Sequence, residues 1–475
     1  MIDFLELLSD YPLQIAVIAS IIGAYLWPII GRFIRNLFVR IRYPNVKRGY
    51  CSENLRIESF SSVAFERNGD PILLERMWIR NFKNISDIDL LFTEESQLEG
   101  NWSCIAGING AGKTTVLQAI SIILMGERLV TELGRERLRR FLRRHKGATH
   151  KAEIEAVVRQ GNRRCRLYLP LDENGVDNSK LLSHKDYHLM STVWKLLGDQ
   201  LVVSYGASRS LSDSLDNRYS NVSRAVQRHM TLFDPLSQIA NVEAVIGEKS
   251  EISVKVVRVL SNLIRETLSD KSIGLLPVIR DSGITFKQRT ASVQAIDLPD
   301  GYKSTLAWFA DMCSTWISAT VPSGRKGDDP RAITGIVLVD EIGLHFHPSL
   351  ERSIISMLRR VLPNVQFIVT THSPLVLSSF DRSEIILFDK DADGGLRYLD
   401  RQIFGFTTNE VYEWLMGTIP QSQVMEELLR TRDEDSSVYL YQSPQTNELE
   451  ATEIQNRRRQ LLRELGLFKG KYEKN

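Results

Sequence analysis

The chain has 475 residues, 43% hydrophobic and 25% charged, a composition that supports two or three globular cores. Its formal net charge is +2, so the overall balance singles out neither nucleic acid nor an acidic partner. Four cysteines (Cys51, Cys104, Cys165, Cys313) lie far apart with no CxxC pair, which excludes a disulfide scaffold and a structural zinc site and fits a reducing compartment.

Residues 11–30, YPLQIAVIASIIGAYLWPII, carry no charge over 20 positions, enough to cross a bilayer as one helix. Asp3, Glu6 and Asp10 precede them; Arg32, Arg35, Arg40, Arg42, Lys47 and Arg48 follow. The positive-inside rule then predicts a single-pass anchor in the cytoplasmic membrane with the bulk of the chain on the cytoplasmic side. The charge order is the reverse of a secretory signal. The other reading is a buried or partner-facing apolar helix, since Pro12, Gly23 and Pro28 weaken a span. The basic stretch to Arg48 also suits anionic lipid headgroups.

Residues 53–92 read as strands, with a long hairpin over 76–92 turning near Asn84. Residues 126–150 read as helical and basic, with Arg135, Arg137, Arg139, Arg140, Arg143, Arg144 and Lys146. Residues 152–171 read as two strands around the turn at Gly161–Asn162, carrying Arg159, Arg163, Arg164 and Arg166. This basic block suits nucleic-acid phosphates, such as those of double-stranded DNA, and equally a solvated face or a protein-docking arm. Residues 175–190 read as polar and loop-like, 212–230 as polar and mobile, 237–269 as helical and 273–297 as short strands. A helix follows from about Tyr302 to Ala319, then a Gly-, Pro- and charge-rich loop.

Chemistry enters at GINGAGKTT, residues 107–115. Gly107, Gly112, Lys113 and Thr114 match the spacing G-x-x-x-x-G-K-[ST], in which backbone N–H groups turn inward around phosphate oxygens. Asn109, Gly110 and Thr115 complete the expected phosphate cradle. Lys113 is expected on the β- and γ-phosphates of ATP and the Thr114 hydroxyl on Mg²⁺. An apolar strand precedes the loop, and a helix over 115–124 follows with its N-terminus toward the phosphates. GIVLVDE, residues 335–341, reads as a buried parallel strand ending in Asp340 and Glu341. Asp340 is placed to hold Mg²⁺ and Glu341 to polarise the attacking water. A helix over 350–362 and a strand, VQFIVTTHSP, put His372 at a strand end as a γ-phosphate sensor. LPDGYKS, residues 298–304, puts Asp300 and Gly301 at a helix start, which binds an anion or is simply capped by the aspartate. Because 227 positions separate Lys113 from Asp340, an insertion is expected between them, over 126–270.

In this order the pieces resemble the ATP-binding-cassette type ATPases of the chromosome-maintenance, RecF and OLD group, over roughly residues 75–400. IRNFKNI (79–85) resembles the opening strand, GINGAGKTT the Walker A loop, VLVDE the Walker B strand and LPDGYKS the signature motif. HFHPSL (345–350) stands at the D-loop position, TTHSP (370–374) resembles the H-loop, and YGASRSL (205–211) a segment of the OLD-like branch. The resemblance implies an α/β P-loop head that binds ATP and Mg²⁺ and closes head to tail with a second copy. Asp300, Gly301, Lys303 and Ser304 would then face the other subunit's γ-phosphate. It also implies a place in bacterial anti-phage defence, as with Septu and PARIS ATPases, acting with a separate effector; a membrane-tethered DNA-maintenance clamp is the alternative. The domain organisation so read is an anchor and basic segment (1–48), a lobe with Walker A (49–125), a basic insertion (126–270), a lobe with signature, Walker B and H-loop (271–400) and a helical, charged region (401–475).

Three departures stand out. Pro299 replaces the signature serine, so slow turnover is expected. Neither Gln200 nor Gln238 fits a Q-loop glutamine. The stretch after Asp400 lacks the acidic pattern of a Toprim nuclease, so nuclease activity is not expected. The aspartates over 389–400 approach a calcium-loop spacing but read as a hairpin turn, and His345 with His347 belongs to the D-loop rather than to a metal pair.

Overall fold

The computed structural model describes residues 65–92, 102–142, 151–212, 223–240, 251–267, 275–320, 329–388 and 396–398, apart from one or two positions at a time within them. The 11–30 segment, Asn109, Arg143, Arg144, Pro299, His345 and residues 401–475 lie outside the described residues. Among the described residues, no helix is long and apolar enough to cross a membrane.

The main sheet is built from β3 (Trp102–Ala106), β7 (Leu201–Tyr205), β13 (Gly335–Val339), β14 (Val365–Thr371), β15 (Ile385–Phe388) and β16 (Leu396–Tyr398). Their order is β16-β15-β3-β14-β13-β7, parallel throughout except for the β15–β16 hairpin at one edge. The inner strands are near-continuous apolar runs because both faces are covered. Successive residues alternate between two cores: Val337 and Val339 enter one, Ile336 and Leu338 the other.

On the first face pack α6 (Glu251–Thr267), α7 (Asp300–Thr320) and α8 (Pro348–Val361), through residues such as Leu263, Trp308 and Ile354. Each side chain buried here adds about 1.5–3 kcal/mol relative to exposure. The second face packs on α1 (Lys113–Met125), which is buried nearly all round because a second sheet covers its far side. That sheet is antiparallel, in the order β2-β1-β4-β5-β6, from β1 (Leu73–Phe82), β2 (Ile85–Leu91), β4 (Ala152–Gln160), β5 (Arg163–Asp172) and β6 (Gly175–Val176).

Residues 152–176 thus complete the sheet begun by β1 and β2, and β7 enters the main sheet, so these parts of the long 126–270 stretch are integral to the head. Two stretches read as loop-like or mobile contain helices instead. Residues 175–190 hold β6, α3 (Asn178–Leu182) and the start of α4 (Tyr187–Gly198). Residues 212–230 end in α5 (Arg224–Phe233), which lies against β7 and α1 with Val226, His229 and Met230 buried. Within 237–269 the helix is preceded by β9 (Ile239–Ala240), which pairs in parallel with β8 (Leu211–Ser212). The strands expected over 273–297 form a small antiparallel sheet, β10 (Leu275–Arg280), β11 (Gly283–Gln288) and β12 (Ala291–Gln294).

Candidate functional site

The strand register brings the site together. Ala106 pairs with Thr371, Val369 with Val339, and Val339 with Tyr205, so β3, β14, β13 and β7 end within two residues of one another. Loops leaving these C-terminal ends share one crevice, the usual ligand position in an open parallel sheet.

Gly107 follows β3, and Gly112 opens α1. Gly112 has φ 113°, and a Cβ there would come within 3.0 Å of the Asn84 side chain. Asn84 lies in the β1–β2 turn, and its Nδ2 donates to the Ala111 carbonyl at 3.5 Å, so the antiparallel sheet braces the loop. No side chain caps α1 and no acid sits in its first turn, which leaves its first N–H groups for an anion. Lys113 is 6% exposed; its Nζ donates to the Gly107 carbonyl at 2.8 Å and lies 3.5 Å from Glu341 Oε1. Thr115 is buried on α1 beside it.

Thr114 Oγ1 donates to Asp340 Oδ2 at 2.8 Å, joining the two ends of the sequence motif pair. The other Asp340 oxygen accepts from Thr370 Oγ1 at 2.6 Å, and that hydroxyl accepts from Glu341 N–H at 2.8 Å. Burial pushes the Asp340 carboxyl above its ordinary value, against the hydrogen bonds from Thr370 and Thr114. A carboxylate and a hydroxyl this close, both hard oxygen donors, fit a magnesium ion that keeps most of its waters. Among the described residues no group of three or more His, Cys, Asp or Glu gathers that could hold another metal ion.

Glu341 adopts φ 50°, a strained backbone for a glutamate, and is pinned on both sides. Its N–H is held by Thr370 and its carbonyl accepts from Arg209 Nη2 at 2.8 Å. Its carboxylate Oε2 lies 2.7 Å from His372 Nδ1 and accepts from the His372 backbone N–H at 3.2 Å. His372 therefore stands on the carboxylate expected to act as base. Ser373, next in the chain, donates to Glu351 Oε2 at 2.9 Å and caps the short helix α9 (Pro374–Leu377).

The LPDGYKS segment begins α7 at Asp300. Gly301 is buried, and its carbonyl accepts from Thr305 Oγ1 at 2.7 Å and Ser304 Oγ at 3.3 Å. Lys303 is half-buried beside them. Deeper along α7, Asp311 accepts from Tyr205 Oη at 2.7 Å, which ties this helix to the end of β7.

Two site residues escaped the motif reading. Thr370 stands in the sequence only as the first residue of TTHSP and Arg209 only as part of YGASRSL, neither with a role of its own. The signal for Arg209 was its place just after a buried strand, within YGASRSL. Gln200 sits before β7, at the far end from the crevice, where its Oε1 accepts from Ile72 N–H at 3.2 Å.

The basic block divides. On β5, Arg163 pairs with Glu66 at 2.6 Å, Arg164 with Glu75 at 2.8 Å, and Arg166 Nε with Glu155 at 2.7 Å. On α2 (Glu127–Arg139), Arg137 pairs with Asp234 at 3.1 Å, while Arg135, Arg139 and the following Arg140 are exposed. Among the described arginines of this block, the exposed ones thus lie on α2 and just after it rather than on the strands.

A Walker A loop, a carboxylate pair and a histidine at the ends of adjacent parallel strands define a P-loop ATPase. Residues 103–378, more than half of the chain, match the family described as "AAA domain, putative AbiEii toxin, Type IV TA system", and the chain belongs to that family. It is similar to the Septu protein PtuA of Bacillus mycoides (strain KBAB4), 26% identical over 325 residues, covering 67% of this chain and 40% of that one. It is also similar to the retron Ec83 probable ATPase of Escherichia coli, 40% identical over 100 residues, or 21% of this chain and 18% of that one. The chain therefore matches less than half the length of each of these relatives. Among solved structures, an Smc head bound to the C-terminal winged-helix domain of ScpA aligns at a TM-score of 0.43 and 14% identity, over 69% of this chain and 98% of that one.

Proposed function

We propose that the chain is the ATP-hydrolysing regulator of a bacterial anti-phage defence system, working as a head-to-tail pair with a separate effector protein. The observation that carries the ATPase part is the bonded array Thr114–Asp340–Thr370–Glu341–His372, closed onto Lys113. The similarity to Septu and retron ATPases supports the defence part. Magnesium, held by Thr114 and Asp340, would neutralise charge on the phosphates. Lys113 leaves Gly107 for a phosphate oxygen, and Glu341, oriented by its pinned backbone, accepts a proton from water, with His372 fixing the carboxylate's direction. In the paired state Asp300, Gly301, Lys303 and Ser304 face the second nucleotide, and Pro299 in place of a hydroxyl makes turnover slow. Residues 11–30 anchor the pair in the cytoplasmic membrane.

The test is ATP turnover with and without double-stranded DNA. Glu341→Gln is expected to lower turnover by about 10²–10⁴-fold while retaining ATP and accumulating pairs; Lys113→Ala is expected to lose ATP binding. Normal turnover by Glu341→Gln would remove Glu341 as the base. The alternative, a membrane-tethered DNA clamp, is favoured by the exposed arginines of α2. It predicts stimulation by DNA that fades with salt and disappears when Arg135, Arg139 and Arg140 are neutralised. A flat response assigns those arginines to a protein partner or lipid.

A further inference from the structure

Arg209 is 2% exposed, yet only one of its three guanidinium nitrogens has a partner. Nη2 donates to the Glu341 carbonyl, whereas Nε and Nη1 are buried without a hydrogen bond. A buried guanidinium with two nitrogens lacking a hydrogen bond is costly, and a ligand that accepts from them is one way to offset that cost. Its position says which ligand. Tyr205, four residues earlier, ends β7 at the level of Val339, so the 206–209 segment leaves the sheet at the same edge as Asp340 and His372. The segment is held firmly: Gly206 N–H donates to Thr231 Oγ1 at 3.1 Å, and a Cβ on Gly206 would lie 2.0 Å from the Thr231 carbonyl oxygen. Arg209 itself has a positive φ of 21°. Burial lowers its pKa to about 10, and the charges of Asp340 and Glu341 act against that fall. The side chain is therefore still a cation at neutral pH, bonded to the Glu341 carbonyl and within the electrostatic reach of the Asp340 and Glu341 carboxylates.

We propose that Arg209 is the residue by which the site tells a nucleoside triphosphate from a diphosphate, its Nε and Nη1 donating to oxygens of the terminal phosphate. This rests on the ATPase reading above and deepens it. One guanidinium then links the terminal phosphate to the Glu341 peptide, so loss of that phosphate is felt directly at the strained backbone of the base. The segment also continues into β8, which pairs with β9 outside the main sheet, giving the phosphate state a covalent path out of the crevice.

The test is the affinity of the magnesium complexes of ADP and of the β,γ-imido analogue of ATP for the full chain, its Arg209→Gln and Arg209→Lys variants. Arg209→Gln is expected to weaken the triphosphate analogue by about ten- to a hundredfold, the scale of charge-assisted hydrogen bonds, and ADP by less than about twofold. Arg209→Lys, which keeps charge and most of the volume, is expected to restore part of the difference. Equal weakening of both nucleotides, or an unchanged ratio, would overturn the proposal and leave Arg209 a fold residue. So would a failure of both variants to melt cooperatively. If the unaltered chain binds neither nucleotide while folded, the ATPase reading itself fails; if it binds both and the variants do not discriminate, only the Arg209 assignment falls.

Discussion

At the residue scale the site turns on Thr370 more than its sequence context suggests. One hydroxyl donates to Asp340 and accepts from Glu341 N–H, so it sets the direction of the Asp340 carboxylate and the Glu341 peptide together. Thr370→Val keeps the shape but leaves a buried carboxylate oxygen and a backbone N–H without this partner. The expected cost is about 1–3 kcal/mol of stability, read by urea unfolding, and a fall in turnover larger than any fall in ATP affinity. Equal losses in affinity and turnover would mean that Thr370 serves phosphate binding rather than the geometry of Glu341. The phosphate loop and the acid pair were legible in the sequence because their spacing is local: a turn needs glycines, and a buried strand ends in acids. Thr370 and Arg209 were not, because their roles depend on strand register joining positions 29 and 132 apart.

At the scale of elements, strands were legible wherever one or both faces are buried, since alternation or a continuous apolar run marks them. The helices missed over 175–190 and 212–230 hide for a physical reason. In α5 the buried face is Val226, His229, Met230 and Leu232, and the histidine breaks the apolar period. His229 Nδ1 lies 2.8 Å from both Ser121 Oγ on α1 and Ser204 Oγ on β7, so a polar triad stands where an apolar contact would be expected. Burial, with Arg228 adding to it, lowers the His229 pKa from 6.5 to about 3. Between those values the unfolded chain binds a proton that the folded one does not, so stability falls as pH drops from about 6.5 toward 3. The slope from this one group is at most about 1.4 kcal/mol per pH unit. Urea unfolding at pH 7, 6 and 5, where most carboxylates stay ionised, is expected to show that slope in the native chain and a flatter one in His229→Gln. Identical slopes would mean that His229 is protonated in the folded state.

At the scale of the whole molecule, one parallel sheet serves both cores. The alternation of its strands sends half of each to α1 and the antiparallel sheet, and half to α6, α7 and α8, so the crevice at its edge is set by both. Asp340 and Glu341 follow β13, Gly107 follows β3, and α7 is joined to β7 through Tyr205 and Asp311. The head-to-tail pairing and the membrane anchor proposed above would act together. Confinement to a surface raises the effective concentration of one head around another, as a linker does. The uncharged 20-residue run over 11–30, acidic before and basic after, is what such an anchor requires. The full chain is therefore expected to stay with membranes through a high-salt wash and to be released by detergent, while a chain lacking residues 1–45 is soluble. The shortened chain is also expected to show ATP turnover per molecule that rises with protein concentration, because its heads must meet in solution. Release of the full chain by salt alone would reduce the contact to the basic residues up to Arg48 on anionic lipid. Turnover independent of concentration in the shortened chain would mean that pairing does not limit hydrolysis, and the anchor would then serve placement alone.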